Sequence, residues 1–153
     1  MATIRRFQDL DAWRLARELN GRVYRLSNTG PFAQDRALRD QIRRASISIS
    51  SNVAEGFERR SPADFARFLT IAKASASEVL SQLYLALDLG YITEHQFDEL
   101  HRAIDSVSRS IGGLVRYLRS ADGRSVREGA ATYATDTQAT NPELGTPNPE
   151  PNT

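Results

Sequence analysis

The segment QIRRASISISSNVAEGFERRS, residues 41–61, decides which secondary structure this chain can adopt. Its SISIS portion alternates polar and apolar residues, as a half-buried β-strand does. Over a longer range, however, the apolar and small residues return every three or four positions, which places them on one helical face: Leu38, Ile42, Ala45, Ser46, Ile49, Val53 and Gly56. Because this period continues on both sides of the alternation, we predict a helix over about residues 34–57, ended by Gly56.

The same helical period recurs in three further segments. A first helix is predicted over about residues 9–26, where the motif SNTGP ends it. A third helix begins at Ser61, a good N-cap that is followed by Pro62 and by Asp64 in the capping-box position, and Gly90 ends it. Thr93 and Gln96 open a fourth helix in the same way, and its apolar stripe continues to about residue 119.

Short connections between four amphipathic helices place consecutive helices antiparallel to one another. The predicted fold is therefore all-α, an up-and-down antiparallel four-helix bundle formed by residues 1–119.

Residues 120–153 are rich in Thr, Asn, Pro and acidic residues and contain few large apolar ones. Such a segment buries too little surface to order itself, so we predict a disordered low-complexity tail, with partner binding as its alternative role.

The composition excludes several classes of protein. The chain has no cysteine, which rules out disulfides, thiol nucleophiles and cysteine-ligated metals. It also has neither an 18-residue apolar run nor a signal-peptide pattern, so we predict a cytoplasmic protein that does not enter a membrane.

Charge is distributed unevenly along the sequence. Residues 1–60 contain 12 Arg against 7 Asp and Glu, a net charge of +5, whereas residues 61–119 have a net charge of −1 and residues 120–153 of −3. A basic half attracts polyanions. The alternative is an ordinary solvated helical surface.

Some apolar residues lie away from the predicted core faces. They occur on three of the four helices, where a monomer would present them to water: Leu10, Trp13, Tyr24, Ile47, Ala54, Ile71, Leu85 and Leu89. We predict that they form an oligomer interface. For Trp13 and Tyr24 the alternative is that the rings fold over the edge of the bundle.

Arginine is the residue type that would contact phosphate groups. Helical spacing places Arg36, Arg39 and Arg43 on one side of the second helix, and the other candidates are Arg5, Arg6, Arg59 and Arg60. Glu55 precedes Arg59 by one turn and can pair with it, while the Asn52 amide could bridge two helices. The alternative for each arginine is a structural ion pair.

No pattern typical of catalysis or of metal binding is present. A di-iron bundle requires two Glu-x-x-His pairs with two further carboxylates, and the nearest approach to one pair is Asp98-x-x-His101. Neither a Gly-rich phosphate loop nor a nucleophile elbow occurs. We therefore predict that the protein is not an enzyme and that it uses no metal, cofactor or small-molecule substrate.

Three segments in order, FQDLDAW, QIRRASISISSNVAEGFERRS and FARFLTIAKASASEVLSQLYLALDLGYI, carry a family resemblance. The chain resembles, over about residues 4–119, the four-helix-bundle proteins encoded in intervening sequences of bacterial 23S rRNA genes. The middle segment is the specific element, and twelve of its residues match the family pattern in order: Gln41, Arg43, Arg44, Ala45, Ser48, Ile49, Asn52, Val53, Ala54, Glu55, Gly56 and Arg59.

This resemblance implies a ring-like homo-oligomer, a pentamer. The chain is also similar to the accessory proteins of diversity-generating retroelements, which are basic pentamers that bind nucleic acid and a reverse transcriptase. The resemblance implies no catalytic residue, and it gives a set of motif residues a structural role: Arg44, Ser48, Asn52, Glu55 and Gly56.

Two functional hypotheses follow. In the first, the oligomer is a non-catalytic adaptor that binds RNA or DNA electrostatically, because several copies multiply the number of phosphate contacts. In the second, the bundle is a structural assembly or protein-interaction module without a nucleic-acid role. The arginines distinguish the two hypotheses, since side chains that are already engaged within the protein favour the second.

Overall fold

The structure is a computed structural model that describes residues 4–120. Within that part of the chain there are five α-helices and no β-strand: α1 (Asp11–Leu26), α2 (Gly30–Gln34), α3 (Arg36–Phe57), α4 (Pro62–Asp88) and α5 (Glu94–Arg119). The prediction of an all-α bundle is therefore confirmed. The predicted tail lies outside the described residues except for Ser120.

The four long helices pack as a square, in which α3 and α5 each lie between α1 and α4. Short connections at residues 58–61 and 89–93 reverse the chain direction between neighbouring helices. Side chains confirm the antiparallel order, because Ser27, just after α1, is hydrogen bonded to Arg43 in the first half of α3. One apolar core runs through the square, and Leu19, Ile49, Leu83 and Ile111 supply one fully buried side chain from each long helix.

Two helix starts follow the predicted capping chemistry. The Ser61 hydroxyl accepts a hydrogen bond from the backbone N–H of Asp64 at the start of α4. At the start of α5, Thr93 and Gln96 form a reciprocal capping box, in which each side chain accepts from the other residue's backbone N–H. These bonds satisfy N–H groups that have no partner within the helix.

The first helix differs from the prediction in its start. A 3-10 turn, Phe7–Asp9, precedes α1, so that the α-helix begins at Asp11 and Leu10 occupies its N-cap position. This turn directs Leu10 into the core, where only 4% of the residue is exposed. Placing Leu10 on an outward face was therefore wrong, because a regular helical wheel does not extend through the turn.

Periodicity did not predict α2, which has only five residues. Gly30 has a φ of +57°, a left-handed conformation that glycine adopts without strain, and the helix starts from it. Phe32 is buried and closes the end of the core against Tyr91, with 5.6 Å between the two ring centroids. The short helix therefore covers the apolar core at one end of the bundle.

The two glycines that were predicted to end helices behave differently. Gly90 has a φ of +72° after α4, where the Tyr91 N–H donates to Ala86 O over 2.9 Å and the Gly90 N–H donates to Leu87 O over 3.0 Å. This is a Schellman C-cap, and Gly90 ends α4 as predicted. Gly56 does not end α3, which continues through Phe57.

Gly56 instead permits a close helix crossing. A Cβ atom at this position would lie 2.8 Å from Phe65 Cδ2 and 2.8 Å from Phe68 Cβ in the first turns of α4. Real Cβ atoms do not tolerate such contacts. The glycine is therefore needed for α3 and α4 to approach each other, and it does not act as a stop signal.

Candidate nucleic-acid interface and association surfaces

The predicted arginine stripe on α3 is only partly free. Arg36 is exposed, but Arg39 donates from Nη1 to Ala33 O over 2.9 Å and from Nε to the Asp40 carboxylate over 3.0 Å. The bond to Ala33 attaches the start of α3 to the preceding helix α2. Arg39 consequently has a structural role in this part of the molecule.

Arg43 is engaged more fully than Arg39. Its Nε donates to the hydroxyl of buried Ser27 over 2.8 Å, and its Nη2 lies 3.4 Å from Tyr24 O. The guanidinium also lies over the Tyr24 ring, 4.5 Å from the centroid, in a cation–π contact. These contacts fasten the end of α1 to α3, so that Arg43 also holds the bundle together.

The remaining candidate arginines divide into paired and unpaired groups. Arg6 pairs with Asp9 over 3.2 Å, and Arg59 pairs with Glu55 over 2.7 Å, as predicted, while its guanidinium lies 4.7 Å from the Phe68 ring centroid. The candidates Arg5, Arg36 and Arg60 and the motif residue Arg44 are exposed and form no salt bridge within residues 4–120.

The exposed apolar residues lie mainly on the outer faces of α3 and α4. On the α1–α3 side, Tyr24 and Ile47 are each 41% exposed, and half-buried Ala54 continues the Ile47 face two turns further along α3. Two residues of α4 and its C-cap residue share one face by their spacing and are 41–49% exposed: Ile71, Leu85 and Leu89. Most of the predicted interface set is therefore available at the surface.

Trp13 belongs to neither surface. It is half-buried, packs against the core and makes an edge contact with Phe7, with 5.1 Å between the ring centroids. Arg17 covers the ring at 5.6 Å from its centroid. Trp13 therefore folds over the bundle edge, which was its alternative placement, whereas Tyr24 remains exposed.

The described part of the chain shows no group of three or more His, Cys, Asp or Glu side chains that could hold a metal ion. In the Asp98-x-x-His101 motif, the His101 ring lies 5.6 Å from the Phe97 ring, and its Nε2 is 3.9 Å from the Asp105 carboxylate. None of the helices within residues 4–120 is long and apolar enough to cross a membrane.

The profile of the 23S rRNA-intervening sequence protein family matches residues 8–113. The chain belongs to this family. A crystal structure of a protein with unknown function from the S23 ribosomal protein family of Bacteroides thetaiotaomicron has a similar fold, with a TM-score of 0.63 and 23% sequence identity. That likeness covers 68% of this chain and 97% of the other. No curated protein matches this sequence.

In this member of the 23S rRNA-intervening sequence protein family, several motif residues hold helices together. The hydroxyls of Ser48 in α3 and Ser75 in α4 are 3.0 Å apart. The Asn52 amide does not bridge helices as predicted, because its Nδ2 donates to Ser48 O over 2.8 Å within α3 and to Ser48 Oγ over 3.0 Å. Asn52 thereby orients the serine that makes the contact between helices.

A second polar contact joins α1 to α3. The terminal atoms of the Asn20 side chain lie 2.6 Å from Ser46 Oγ and 2.9 Å from Ser50 Oγ. The sequence analysis missed Asn20 because its partners are 26 and 30 residues away. An amide beside an apolar helical stripe, facing a serine-rich helix, is the signal that could have identified it.

Proposed function

We propose that the protein is a non-catalytic bundle whose function depends on association with further copies of itself. The observation that supports this proposal is the exposed apolar surface on the outer faces of α3 and α4, which includes Ile47, Ile71 and Leu85. Burying such groups against another copy is worth about 25 cal/mol for each Å² removed from water. The family resemblance favours closure of the assembly into a pentameric ring.

Light scattering coupled to size exclusion tests the assembly. We expect a mass several times the 17.0 kDa of one chain. The double variant Ile47→Asp/Leu85→Asp should release monomers that keep their helicity, because both side chains lie outside the core. Tyr117→Asp is the matched control, since Tyr117 is another exposed apolar residue, on α5. A monomeric wild-type protein at micromolar concentration would refute the proposal.

A second role, nucleic-acid binding by the oligomer, is favoured by the unpaired arginines. Exposed arginines that form no salt bridge within residues 4–120 lie on α1, α3 and α5, so they can exchange bound counterions for phosphate groups. Several copies would repeat these charges around one assembly and increase its avidity. We propose that this binding is electrostatic and depends little on sequence.

Anisotropy titrations of labelled structured RNA and duplex DNA at two salt concentrations test this role. Affinity should fall steeply with salt and should be similar for different sequences. The bonds made by Arg39 and Arg43 within the protein favour the competing hypothesis, a purely structural or protein-interaction module. Absence of binding at low salt would leave that hypothesis standing.

A further inference from the structure

The two halves of helix α5 have opposite net charges. Residues 94–105 contain four acidic residues and one arginine, whereas residues 106–119 contain no acidic residue and three arginines: Arg109, Arg116 and Arg119. The average over residues 61–119, a net charge of −1, hides this basic half. The second half of α5 thus contains as many arginines as the predicted stripe on α3, and no acidic residue.

The one lysine of the chain approaches this region from α4. A Cβ atom built on Gly112 would lie 3.6 Å from Arg116 Nη1 and 3.7 Å from Lys73 Nζ. Cations from two helices therefore lie close together above the glycine. The exposed group of Lys73, Arg109, Arg116 and Arg119, with Gly112 and Gly113 between them, is called the α4–α5 cationic surface below.

None of these four cations is neutralised within residues 4–120, since none of them forms a salt bridge there. The nearest acidic residue before Arg109 in sequence is Asp105. Its backbone carbonyl accepts from Arg109 Nε over 3.4 Å, but its carboxylate faces His101 Nε2 at 3.9 Å. Like charges left together in this way are destabilising, and a bound anion would relieve the repulsion.

Helix stability does not explain this arrangement. Cations near a helix C-terminus interact favourably with the helix dipole, which accounts for Arg116 and Arg119 but not for Arg109, ten residues before the end, or for Lys73 in mid-α4. Two adjacent glycines within a helix are together destabilising by about 2 kcal/mol relative to alanine. Packing does not require them, since a Cβ on either would make only ordinary contacts, at 3.6 Å or more.

We infer that the α4–α5 cationic surface binds the phosphate backbone of a nucleic-acid strand. Arg109 and Arg116 are seven residues apart, or about 10.5 Å along the helix, so they can contact different phosphates of the same strand. Gly112 is buried beneath Lys73 Nζ and Arg116 Nη1, and above it one phosphate group can contact both cations. The inference rests on the proposed nucleic-acid binding and assigns it to a different surface from the α3 stripe.

Matched double variants test the assignment. The substitutions Arg109→Ala/Arg116→Ala and Arg36→Ala/Arg44→Ala remove the same charge from different surfaces. In titrations of a labelled single-stranded RNA, the α5 pair should weaken binding about tenfold or more and lower the slope of log affinity against log salt by about 2. The α3 pair should have a clearly smaller effect. Circular dichroism confirms that both variants fold.

Lys73 provides an independent readout, because it is the chain's only lysine. Acetylation with an amine-reactive ester, followed by mass spectrometry, reports its accessibility, and a lysine-containing reference peptide in the same reaction serves as the standard. We expect bound RNA to slow acetylation of Lys73 but not of the standard.

The possible outcomes separate the two claims. If the wild-type protein does not bind RNA at about 50 mM salt, both the nucleic-acid function and this site are refuted. If it binds, but the α5 pair weakens binding no more than the α3 pair and Lys73 remains unprotected, the function stands and this site is refuted.

Discussion

The basic region at the start of α3 and the basic region in the second half of α5 look alike in sequence but differ in the structure. On α3, Arg39 and Arg43 donate to backbone carbonyls and to a buried serine, so that much of their charge is used in joining helices. On α5, Arg109 and Arg116 remain exposed and form no salt bridge within residues 4–120. A run of arginines in a sequence therefore does not by itself identify a binding surface, because some of the side chains are already bonded within the protein.

The same contrast holds for the glycines of the two regions. Gly56 of α3 lies where α4 crosses closely. In contrast, Gly113 of α5 faces only the flexible end of Arg116, whose Nη2 would lie 3.8 Å from a Cβ atom at this position. At Gly56 the close packing of α4 against α3 requires glycine. At Gly113 the packing of the folded bundle does not require it.

The largest expected effect concerns these two glycines. Gly56→Ala should lower the free energy of unfolding by about 2–3 kcal/mol, because its methyl group would clash with Phe65 and Phe68. Gly113→Ala, the control, should raise it by up to about 1 kcal/mol, since alanine is the better helix former. Urea denaturation measures both values. Equal effects of the same sign would remove the contrast between the regions.

A second comparison uses the arginines. Arg43→Ala should lower the free energy of unfolding by about 2 kcal/mol, because it removes a charged hydrogen bond to buried Ser27 and the contact with the Tyr24 ring. Arg109→Ala should change it by less than about 0.5 kcal/mol, as expected for a surface site. Destabilisation by Arg109→Ala as large as that by Arg43→Ala would show that the α5 arginines also hold the fold together.

A third prediction concerns pH at the end of the bundle where α3 begins. The Tyr91 hydroxyl donates to the Asp35 carboxylate over 3.0 Å. This hydrogen bond, followed by desolvation and the charge of Asp35, raises the pKa of Tyr91 above its ordinary value of 10.0. The neutral phenol is thus favoured in the folded state, so its stabilising contribution is complete below pH 10.0 and is lost as pH rises through the higher folded-state pKa.

Urea denaturation of the wild-type protein and of Tyr91→Phe, at about pH 8 and about pH 11, measures this effect. The wild-type protein should be the more stable of the two at the lower pH, and the difference should shrink at the higher pH. A difference that stays constant would mean that the Tyr91–Asp35 bond does not link the phenol's ionisation to folding.

The smallest expected effect is that of truncation. A protein ending at Arg119 should keep its helicity and its assembly, with a change in unfolding free energy below about 0.5 kcal/mol, because residues 120–153 lack the apolar periodicity of a core element. Circular dichroism and light scattering of the truncated protein test this expectation. Precipitation or dissociation would assign a structural role to the tail.

Local rules explain which parts of the fold were predictable. The N-caps at Ser61 and Thr93 and the C-cap at Gly90 depend on residues within one turn, so the sequence pattern sufficed. The helix α2, which covers one end of the core, is too short to show a helical period. The same is true of the 3-10 turn that directs Leu10 inward. Neither can be inferred from a helical wheel.

The candidate sites were less predictable because their properties depend on distant partners. Arg43 contacts residues 16 and 19 positions away, and Lys73 and Arg116 both lie beside Gly112 only because two helices pack together. Spacing alone placed Arg43 on the surface and missed Lys73. The exposure of Ile47, Ile71 and Leu85 could be predicted, because the helical period that defines the core face of a helix also defines the faces that lie away from the core.

The hydroxyl and amide contacts between helices also limit how the bundle can slide. If α3 shifted by one turn, about 5.4 Å, against its neighbours, Asn20 would keep only one of its two serine partners, and Ser48 would lose Ser75. Leucine-rich interfaces tolerate such slippage more readily, because apolar contacts are not directional. These polar pairs therefore fix the axial register, so that every copy presents the outward side chains of α1, α3 and α4 at the same relative heights.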